Sequence, residues 1–472
     1  MAFNAAAFLY FFFPLVFLLY VVMPSIRAKN GLLLASGLVF YTFGQWQGVP
    51  LLLFSVLASY AAARLMCRPR AKKAALITAL ALELGLLGCF KYLDFFTGIL
   101  NQFLPFQIPA ANLPLPIGIS FFTFRSMAYV IDAYRDSRNV SRRFGDVFLY
   151  ISFFPQLTSG PIDRFESFSA QLADRPFLPE QTARGLRRFI IGFGKKMLIA
   201  GPVSAIANVA FSLDGGLDIR MAWLGAAAYT IQIYFDFSGY SDMAIGLSAV
   251  FGFTAPENFN YPYTANSITD FWRRWHISLS SWFRDYLYIP LGGNRKGKTR
   301  QAVNKAVVFL LCGLWHGASG TFLLWGAWHG VFSALESCKA IDCVRLQKTA
   351  PGRILSRVYT LLAVSLGFVI FRAADLSQVV GYFRALFTGV SFIPASTLAL
   401  YRISPAAWIA LLAGVIGCFP AAPRLAAQTK LLEDTPRRFV TALSFAGAAA
   451  LFVLCLLAAA GGGFQPFIYA QF

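Results

Sequence analysis

The chain contains three histidines, His276, His316 and His329, and all of them fall within 54 residues. Two of the three stand in Trp-His-Gly triplets inside segments that are otherwise apolar. A neutral imidazole near pH 7 can take a proton from a hydroxyl group, so these side chains are candidates for acid–base catalysis. A lone buried histidine is more often a hydrogen-bonded core residue, but three clustered in a chain with no other histidine favour a functional role.

The spacing of His316 and His329 limits what they can do together. They are 13 residues apart, which is about 3.6 turns, or about 20 Å, of one straight helix, so both could not easily touch one reacting atom. The glycines between them would permit a break in that helix. No cysteine or acidic residue stands at ligand spacing to the histidines, so no metal is expected. Trp315 and Ser319 are candidate wall residues of the same site.

The stretch 270–297 is too charged to span a membrane. On one helix its large apolar side chains would share a face, which is typical of an amphipathic helix at a membrane interface: Trp272, Trp275, Leu279 and Trp282. Arg273 and Arg274 would then meet phosphate groups. These phosphates belong either to lipid headgroups or to an acyl carrier such as coenzyme A.

Two further polar stretches interrupt the apolar sequence. Residues 116–135 place polar groups among aromatic ones, and residues 154–164 contain Pro and Gly that forbid a regular helix. Such backbone at membrane depth is expected to line a cavity or tunnel, with Gln156 in its wall. A plain loop is the alternative for this second stretch.

Asp236 and Asp242 are two carboxylates inside an apolar run. Six residues correspond to about 600° of helix, so the two side chains would point to different faces. Paired carboxylates could suggest a glycosidase or a proton pathway, and the two are candidate lining residues. Capping of a broken helix in this region is the structural alternative.

The amino-acid composition indicates whether the surface of this protein faces water or lipid. Of 472 residues, 57% are hydrophobic and 13% are charged, whereas a soluble domain typically carries about 25% charged residues. Much of the surface is therefore expected to face lipid. The excess of 41 Lys+Arg over 21 Asp+Glu, a net charge of +20, is typical of basic cytoplasmic loops and needs no nucleic-acid partner.

About a dozen apolar segments are long enough to be candidate transmembrane helices, and no pattern of strand alternation competes with them. The sequence therefore predicts an all-α polytopic bundle, with residues 6–24 as the first span and with shorter re-entrant or interfacial pieces at 92–105, 147–157 and 240–253. The remaining predicted spans are 31–48, 50–66, 74–90, 115–133, 188–212, 220–238, 303–317, 320–336, 355–371, 398–419 and 438–460.

These motifs resemble those of the membrane-bound O-acyltransferases, most closely the branch that acts in alginate O-acetylation. The resemblance is carried by residues 116–135, 154–164, 234–246, 258–263, 270–293, 315–330 and 367–373. It implies that His316 is the catalytic histidine and that His276 is its partner, with His329 in a less defined role. Gly320 departs from the pattern, where an aromatic residue is expected.

The resemblance further implies one membrane domain over 1–472, with a core at about 115–375 and peripheral helices at 1–110 and 376–472. About eleven or more helices would surround a central funnel. Acetyl-CoA would enter from the cytoplasm as a substrate, with no bound cofactor, and the acceptor would come from the far side. A soluble periplasmic or extracellular acetyltransferase would act as partner at the bacterial inner membrane.

The expected function is O-acetylation of an exopolysaccharide such as alginate. The same resemblance leaves open acylation of peptidoglycan or cellulose, or D-alanylation of teichoic acid with a carrier protein as donor. A transporter is the alternative from a different class, because it also needs a polar funnel in a helical bundle. Transporters usually contain an internal repeat, and none is found in this sequence.

Overall fold

A computed structural model describes residues 1–213, 215–388, 392–420, 437–461 and 467–468, with the backbone alone at 437–441. Part of the predicted peripheral region 376–472 thus lies outside the described residues. The α-helices are Phe13–Val22, Ile26–Gln45, Val49–Leu65, Lys72–Leu87, Leu93–Leu100, Ile119–Arg135, Phe144–Ser152, Phe154–Leu157, Phe165–Ala173, Pro179–Gly194, Gly201–Ser212, Ile219–Val250, Ile268–Arg274, Ile277–Phe283, Gly297–His316, Gly320–Ser337, Cys343–Leu346, Ala350–Arg372, Leu376–Phe387, Pro394–Arg402, Pro405–Gly417 and Arg437–Ala460.

Five helical segments among the described residues are long and apolar enough to cross a membrane, and they are Ile26–Leu65, Lys72–Leu100, Pro179–Ser212, Ala350–Arg372 and Ala442–Ala460. Pro394–Arg402 and Pro405–Gly417 would make a sixth, but an 85° bend separates them, as in a broken span or re-entrant loop. The other predicted segments form helices that are shorter or more polar. The all-α polytopic fold is confirmed, whereas the central funnel stays a prediction.

The chain divides into two compact units. Unit 1 contains Met1–Phe189 and Ser241–Pro256, and unit 2 contains Ile190–Tyr240 and Glu257–Ile468. Gln156 and Asp242 therefore belong to unit 1, whereas the three histidines belong to unit 2. The expectation of one domain over the whole chain stays a prediction.

Unit 1 is held together by aromatic packing and by buried polar side chains. The Glu83 carboxylate accepts hydrogen bonds from Ser55 at 2.8 Å and from Ser59 at 3.0 Å, which joins two helices. The Arg175 guanidinium lies 3.9 Å from the centre of the Phe253 ring and donates to the Phe251 carbonyl at 2.9 Å. These contacts satisfy charges that would otherwise be costly to bury.

Unit 2 is built around a hairpin of two helices, Gly297–His316 and Gly320–Ser337. Glycine permits their close approach, because a Cβ on Gly313 would lie 2.3 Å from the Phe322 carbonyl oxygen and one on Gly326 would lie 2.5 Å from that of Phe309. The chain breaks at Gly317, as the glycines between the two histidines would permit, and the two arms fold back on one another.

The stretch 270–283 differs from the single amphipathic helix that was predicted. It forms two short helices, Ile268–Arg274 and Ile277–Phe283, which are broken at Trp275–His276. His276 has a φ of +44°, in the left-handed region that ends a regular helix. Trp275 and Leu279 are buried inside the protein, so this face does not lie on a membrane surface. The prediction of a single helix with its aromatic face on a membrane surface is wrong.

The segment that carries the two carboxylates also differs from its prediction, which included a re-entrant, interfacial or broken piece at 240–253. Residues 240–250 are the end of a continuous helix, Ile219–Val250, and are not re-entrant or broken. Neither Asp236 nor Asp242 therefore caps a helix break.

Candidate active site

His316 is the last residue of its helix, and its side chain is 2% exposed. Its ring is surrounded edge to face by three aromatic rings, with centroid distances of 4.9 Å to Trp315, 4.9 Å to Trp325 and 5.2 Å to Phe371. The helix ends here because Gly317 is extended, and Ser319 then caps the next helix by accepting the Phe322 amide. The helix end thus places an imidazole in an apolar enclosure.

His329 lies in the middle of the returning helix and is fully buried. Its ring is 5.0 Å from Trp325 and 5.1 Å from Trp272. Neither ring nitrogen has a hydrogen-bond partner within the part of the chain that the structure describes. A Cβ on Gly367 would lie 2.8 Å from His329 Nε2, so glycine is needed for that helix to approach.

His276 reaches the same cluster from the break between the two short helices. An antiparallel bridge between Phe259 and Trp275 holds this break, and the Asn258 side chain accepts the Ser278 amide at 3.2 Å. The positive φ of His276 turns its side chain inward, where it is 1% exposed. Burial lowers the pKa of the His276 imidazole from 6.5 to about 3, so the ring is neutral at physiological pH.

Shared tryptophans connect the three histidines. Trp315 contacts His276 at 6.1 Å as well as its neighbour His316, and Trp325 contacts both His316 and His329. The helix hairpin thus brings together side chains that one straight helix would have kept apart. The arrangement places three buried imidazoles among aromatic rings, and an imidazole in its neutral form can take a proton from a hydroxyl group.

The other predicted site residues have different surroundings. Trp315 is part of the cluster, while Ser319 acts as a helix cap and hydrogen-bonds Thr321 at 2.8 Å. Arg274 donates to Asp270 at 3.0 Å, so its charge is already compensated, whereas Arg273 is exposed. Binding of phosphate by these arginines stays a prediction.

The two carboxylates are not a catalytic pair. Asp236 pairs with Lys196 at 2.6 Å in unit 2, and Asp242 pairs with Arg188 at 2.9 Å in unit 1. Each therefore has its own cation on a neighbouring helix. Gln156 is buried in unit 1 on the short helix Phe154–Leu157, and its role as a lining residue stays a prediction.

A cavity of about 170 Å³ lies beside the cluster in unit 2. Trp272, whose ring meets His329, belongs to its wall. The wall is mostly apolar, and two cationic side chains stand on it among the lining residues Leu279, Phe283, Arg284, Lys305, Phe309 and Cys312.

Sequence reasoning missed Trp325, Phe371 and Phe237 as walls of the site. Trp325 stands four residues before His329, so helical periodicity could have placed the two on one face. Phe371 lies just before Arg372 in a stretch that was noted only as a motif. Phe237 meets His276 at 4.6 Å, and no local pattern in the sequence indicates that contact.

Comparison with known proteins agrees with these observations. Residues 119–372, which include all three histidines, match the sequence profile of the family described as MBOAT, membrane-bound O-acyltransferase family. The chain is 42% identical over 403 residues to a probable alginate O-acetylase AlgI of Pseudomonas aeruginosa, covering 82% of this chain and 75% of that protein.

Two other relatives act on different polymers. The chain is 36% identical over 411 residues to a peptidoglycan O-acetyltransferase of Helicobacter pylori, covering 80% of this chain and 78% of that protein. It is 32% identical over 220 residues to a teichoic acid D-alanyltransferase of Bacillus subtilis, covering 44% of this chain and 55% of that protein.

Proposed function

Because the chain belongs to the membrane-bound O-acyltransferase family, and is a multi-pass membrane protein, we propose that it moves acetyl groups from cytoplasmic acetyl-CoA to an exopolysaccharide such as alginate. The membrane is the bacterial inner membrane. A soluble periplasmic or extracellular acetyltransferase completes transfer to the polymer. The similarity to alginate O-acetylases over 82% of the chain supports this acceptor.

The observation that carries the proposal is the burial of His316 and His276 beside a shared ring, that of Trp315, whose centroid lies 4.9 Å from the first and 6.1 Å from the second. An acceptor hydroxyl attacks the thioester carbonyl carbon of acetyl-CoA, and its proton passes to the neutral His316 imidazole. The carbon–sulfur bond breaks, and coenzyme A leaves as a thiol after taking that proton back from His316. His276 orients the acceptor or assists the transfer.

The donor is acetyl-CoA, and the positions of several cations support it. Lys305 stands on the wall of the 170 Å³ cavity, and so does Arg284, which is paired with Asp285 at 2.8 Å, while Arg273 is exposed to solvent. Cations of this kind suit the phosphates of coenzyme A, while the apolar wall suits the thioester arm. No cofactor remains bound between turnovers.

Peptidoglycan is the second candidate acceptor, because the relative that is named as its O-acetyltransferase matches 80% of this chain. The chemistry at His316 would be the same. D-Alanylation receives weaker support, since the match to the teichoic acid enzyme covers 44% of the chain.

The proposal is tested with purified protein in detergent and acetyl-CoA that carries a radiolabelled acetyl group, with and without the soluble protein encoded beside it. Label should appear on an oligosaccharide of alginate and should be lost in His316→Ala. The control is Asp136→Asn, which changes an exposed ion pair of unit 1. Label retained by folded His316→Ala would refute the catalytic assignment.

The acceptor is tested in the same assay by exchanging the oligosaccharide. Label on muropeptides in place of alginate oligosaccharides would move the assignment to peptidoglycan. Transfer from a D-alanyl carrier protein, with none from acetyl-CoA, would replace the donor and refute acetyl transfer.

A further inference from the structure

The buried ion pair of Lys196 and Asp236 in unit 2 has no part in the proposed reaction. The Lys196 ammonium lies 2.6 Å from Asp236 Oδ1, and the two side chains are 4% and 6% exposed. Burial of two charges has a large desolvation cost, so an ion pair of this kind is weak evidence for stability alone.

The second oxygen of Asp236 binds a distant part of the chain. Asp236 Oδ2 accepts the backbone N–H of Ile468 at 2.9 Å, across 232 residues of sequence. One oxygen of Asp236 thus faces the Lys196 ammonium while the other accepts the Ile468 N–H. A charge-assisted bond is stronger than one between neutral groups.

Aromatic contacts hold the segment Phe467–Ile468 in the same place. The Phe467 ring stacks on Tyr240 at 4.4 Å with an angle of 19° between the planes, and it lies 5.7 Å from Phe237. The Lys196 ammonium lies 5.7 Å from the centre of the Phe467 ring. Phe467 is buried as a result, with 6% of its side chain exposed.

This packing extends directly to the candidate active site. Phe237 stands one residue after Asp236 and one helical turn before Tyr240, and its ring meets the His276 ring edge to face at 4.6 Å. Phe467 therefore packs against the ring that contacts His276. Movement of Phe467 would leave space into which Phe237 could turn, and His276 would lose a wall.

We propose that Lys196 and Asp236 are positioning residues, which anchor the segment Phe467–Ile468 so that Phe237 holds His276 in the orientation needed for acyl transfer. The inference rests on the proposed function for its catalytic consequence. The anchoring itself depends only on the contacts between Asp236, Ile468 and the aromatic rings.

Exchanging the two charged residues tests whether activity needs the hydrogen bond from Ile468 to Asp236 or only the ion pair. The double variant Lys196→Asp with Asp236→Lys keeps one positive and one negative side chain, but an ammonium at position 236 cannot accept the Ile468 N–H. We expect kcat to fall about 100-fold, as for other small misplacements of a catalytic group, while KM for acetyl-CoA stays close to wild type. Recovery of wild-type kcat in the double variant would refute the proposal, because it would show that only the ion pair matters.

A backbone substitution tests the same hydrogen bond from the other side. Ile468→Pro removes the N–H donor, whereas Ile468→Ala shortens the side chain and keeps the donor. We expect Ile468→Pro to lose as much kcat as Asp236→Lys and Ile468→Ala to lose much less. Equal activity of the two Ile468 variants would contradict the anchoring role.

A measurement without activity distinguishes failure of this inference from failure of the proposed function. A photoreactive p-benzoylphenylalanine in place of Phe467 should cross-link to the segment around Phe237 and Tyr240, and the yield should fall strongly when Asp236→Lys is added. An unchanged yield would overturn the anchor. A yield that depends on Asp236, in protein that transfers no acetyl group with any acceptor, would support the anchor and refute only the proposed function.

Discussion

Aromatic rings determine how the histidines can act at the scale of single residues. His316 has three aromatic neighbours within 5.2 Å, and His329 shares Trp325 with it. Apolar surroundings of this kind provide little solvation for a charge. A proton that such a ring accepts is therefore held weakly and is readily passed on.

The buried His276 should make stability depend on pH. The unfolded chain binds a proton at His276 below about pH 6.5, whereas the folded protein does so only near pH 3. The free energy of unfolding therefore falls as the pH is lowered through this window, by about 2 kcal/mol at about pH 5. Thermal midpoints in detergent at neutral and acidic pH measure this loss.

His276→Asn is the comparison for that experiment, because it removes the titrating ring. Its midpoint should fall less on acidification than that of the wild type. An equal fall in the two proteins would mean that His276 is not the group responsible.

At the scale of elements, the three histidines are brought together by the helix hairpin and by the broken pair of short helices before it. The hairpin brings His316 and His329 together through Trp325, and the break at Trp275–His276 turns a third imidazole inward. Both depend on a break in regular helix, at Gly317 in the hairpin and at Trp275–His276 in the short pair. Contact of two helices through glycine leaves no room for a side chain.

Gly313→Ala should separate the arms of this hairpin. A Cβ at this position would lie 2.3 Å from a backbone carbonyl oxygen, which cannot move aside as a flexible side chain can. We expect a loss of about 1–3 kcal/mol in stability, typical of overpacking, together with reduced acetyl transfer. Thermal unfolding and the radiolabel assay measure the two effects.

Gly85→Ala is the matched control for the hairpin variant. Gly85 also lies in a helix, but no atom stands within 4 Å of its added Cβ. Alanine favours helix more than glycine does, so the midpoint should stay unchanged or rise. A similar loss in the two variants would show that contact across the hairpin is not the cause.

The whole molecule must expose a donor site to the cytoplasm if acetyl-CoA is the donor. Basic residues follow Cys67 at 68–73 and follow Cys338 at positions 339, 345 and 348, and both thiols are exposed. Positively charged loops remain on the cytoplasmic side during insertion. The two cysteines are therefore expected on that side of the membrane.

Single-cysteine variants that keep only Cys67 or only Cys338 test this topology. A membrane-impermeant maleimide should label each thiol after the cells are permeabilised and not before. Labelling of Cys338 in intact cells would place that end of the hairpin outside and would contradict a cytoplasmic donor site beside it.

The sequence by itself determined the membrane class, the all-helical fold and the candidate histidines. Composition and long apolar segments report directly on the solvent, and the Trp-His-Gly triplets are local motifs. The resemblance that they carry identified the family correctly. Periodicity also separated Asp236 from Asp242 onto different faces.

Only the tertiary structure decided how these residues meet. Periodicity assumed one helix over 270–283 and therefore placed its aromatic face on a membrane surface, but backbone geometry at His276 breaks the helix and buries that face. The contacts of Phe237 with His276 and of Asp236 with Ile468 join residues far apart in sequence. A local pattern carries no signal for such contacts, because they depend on which elements pack together.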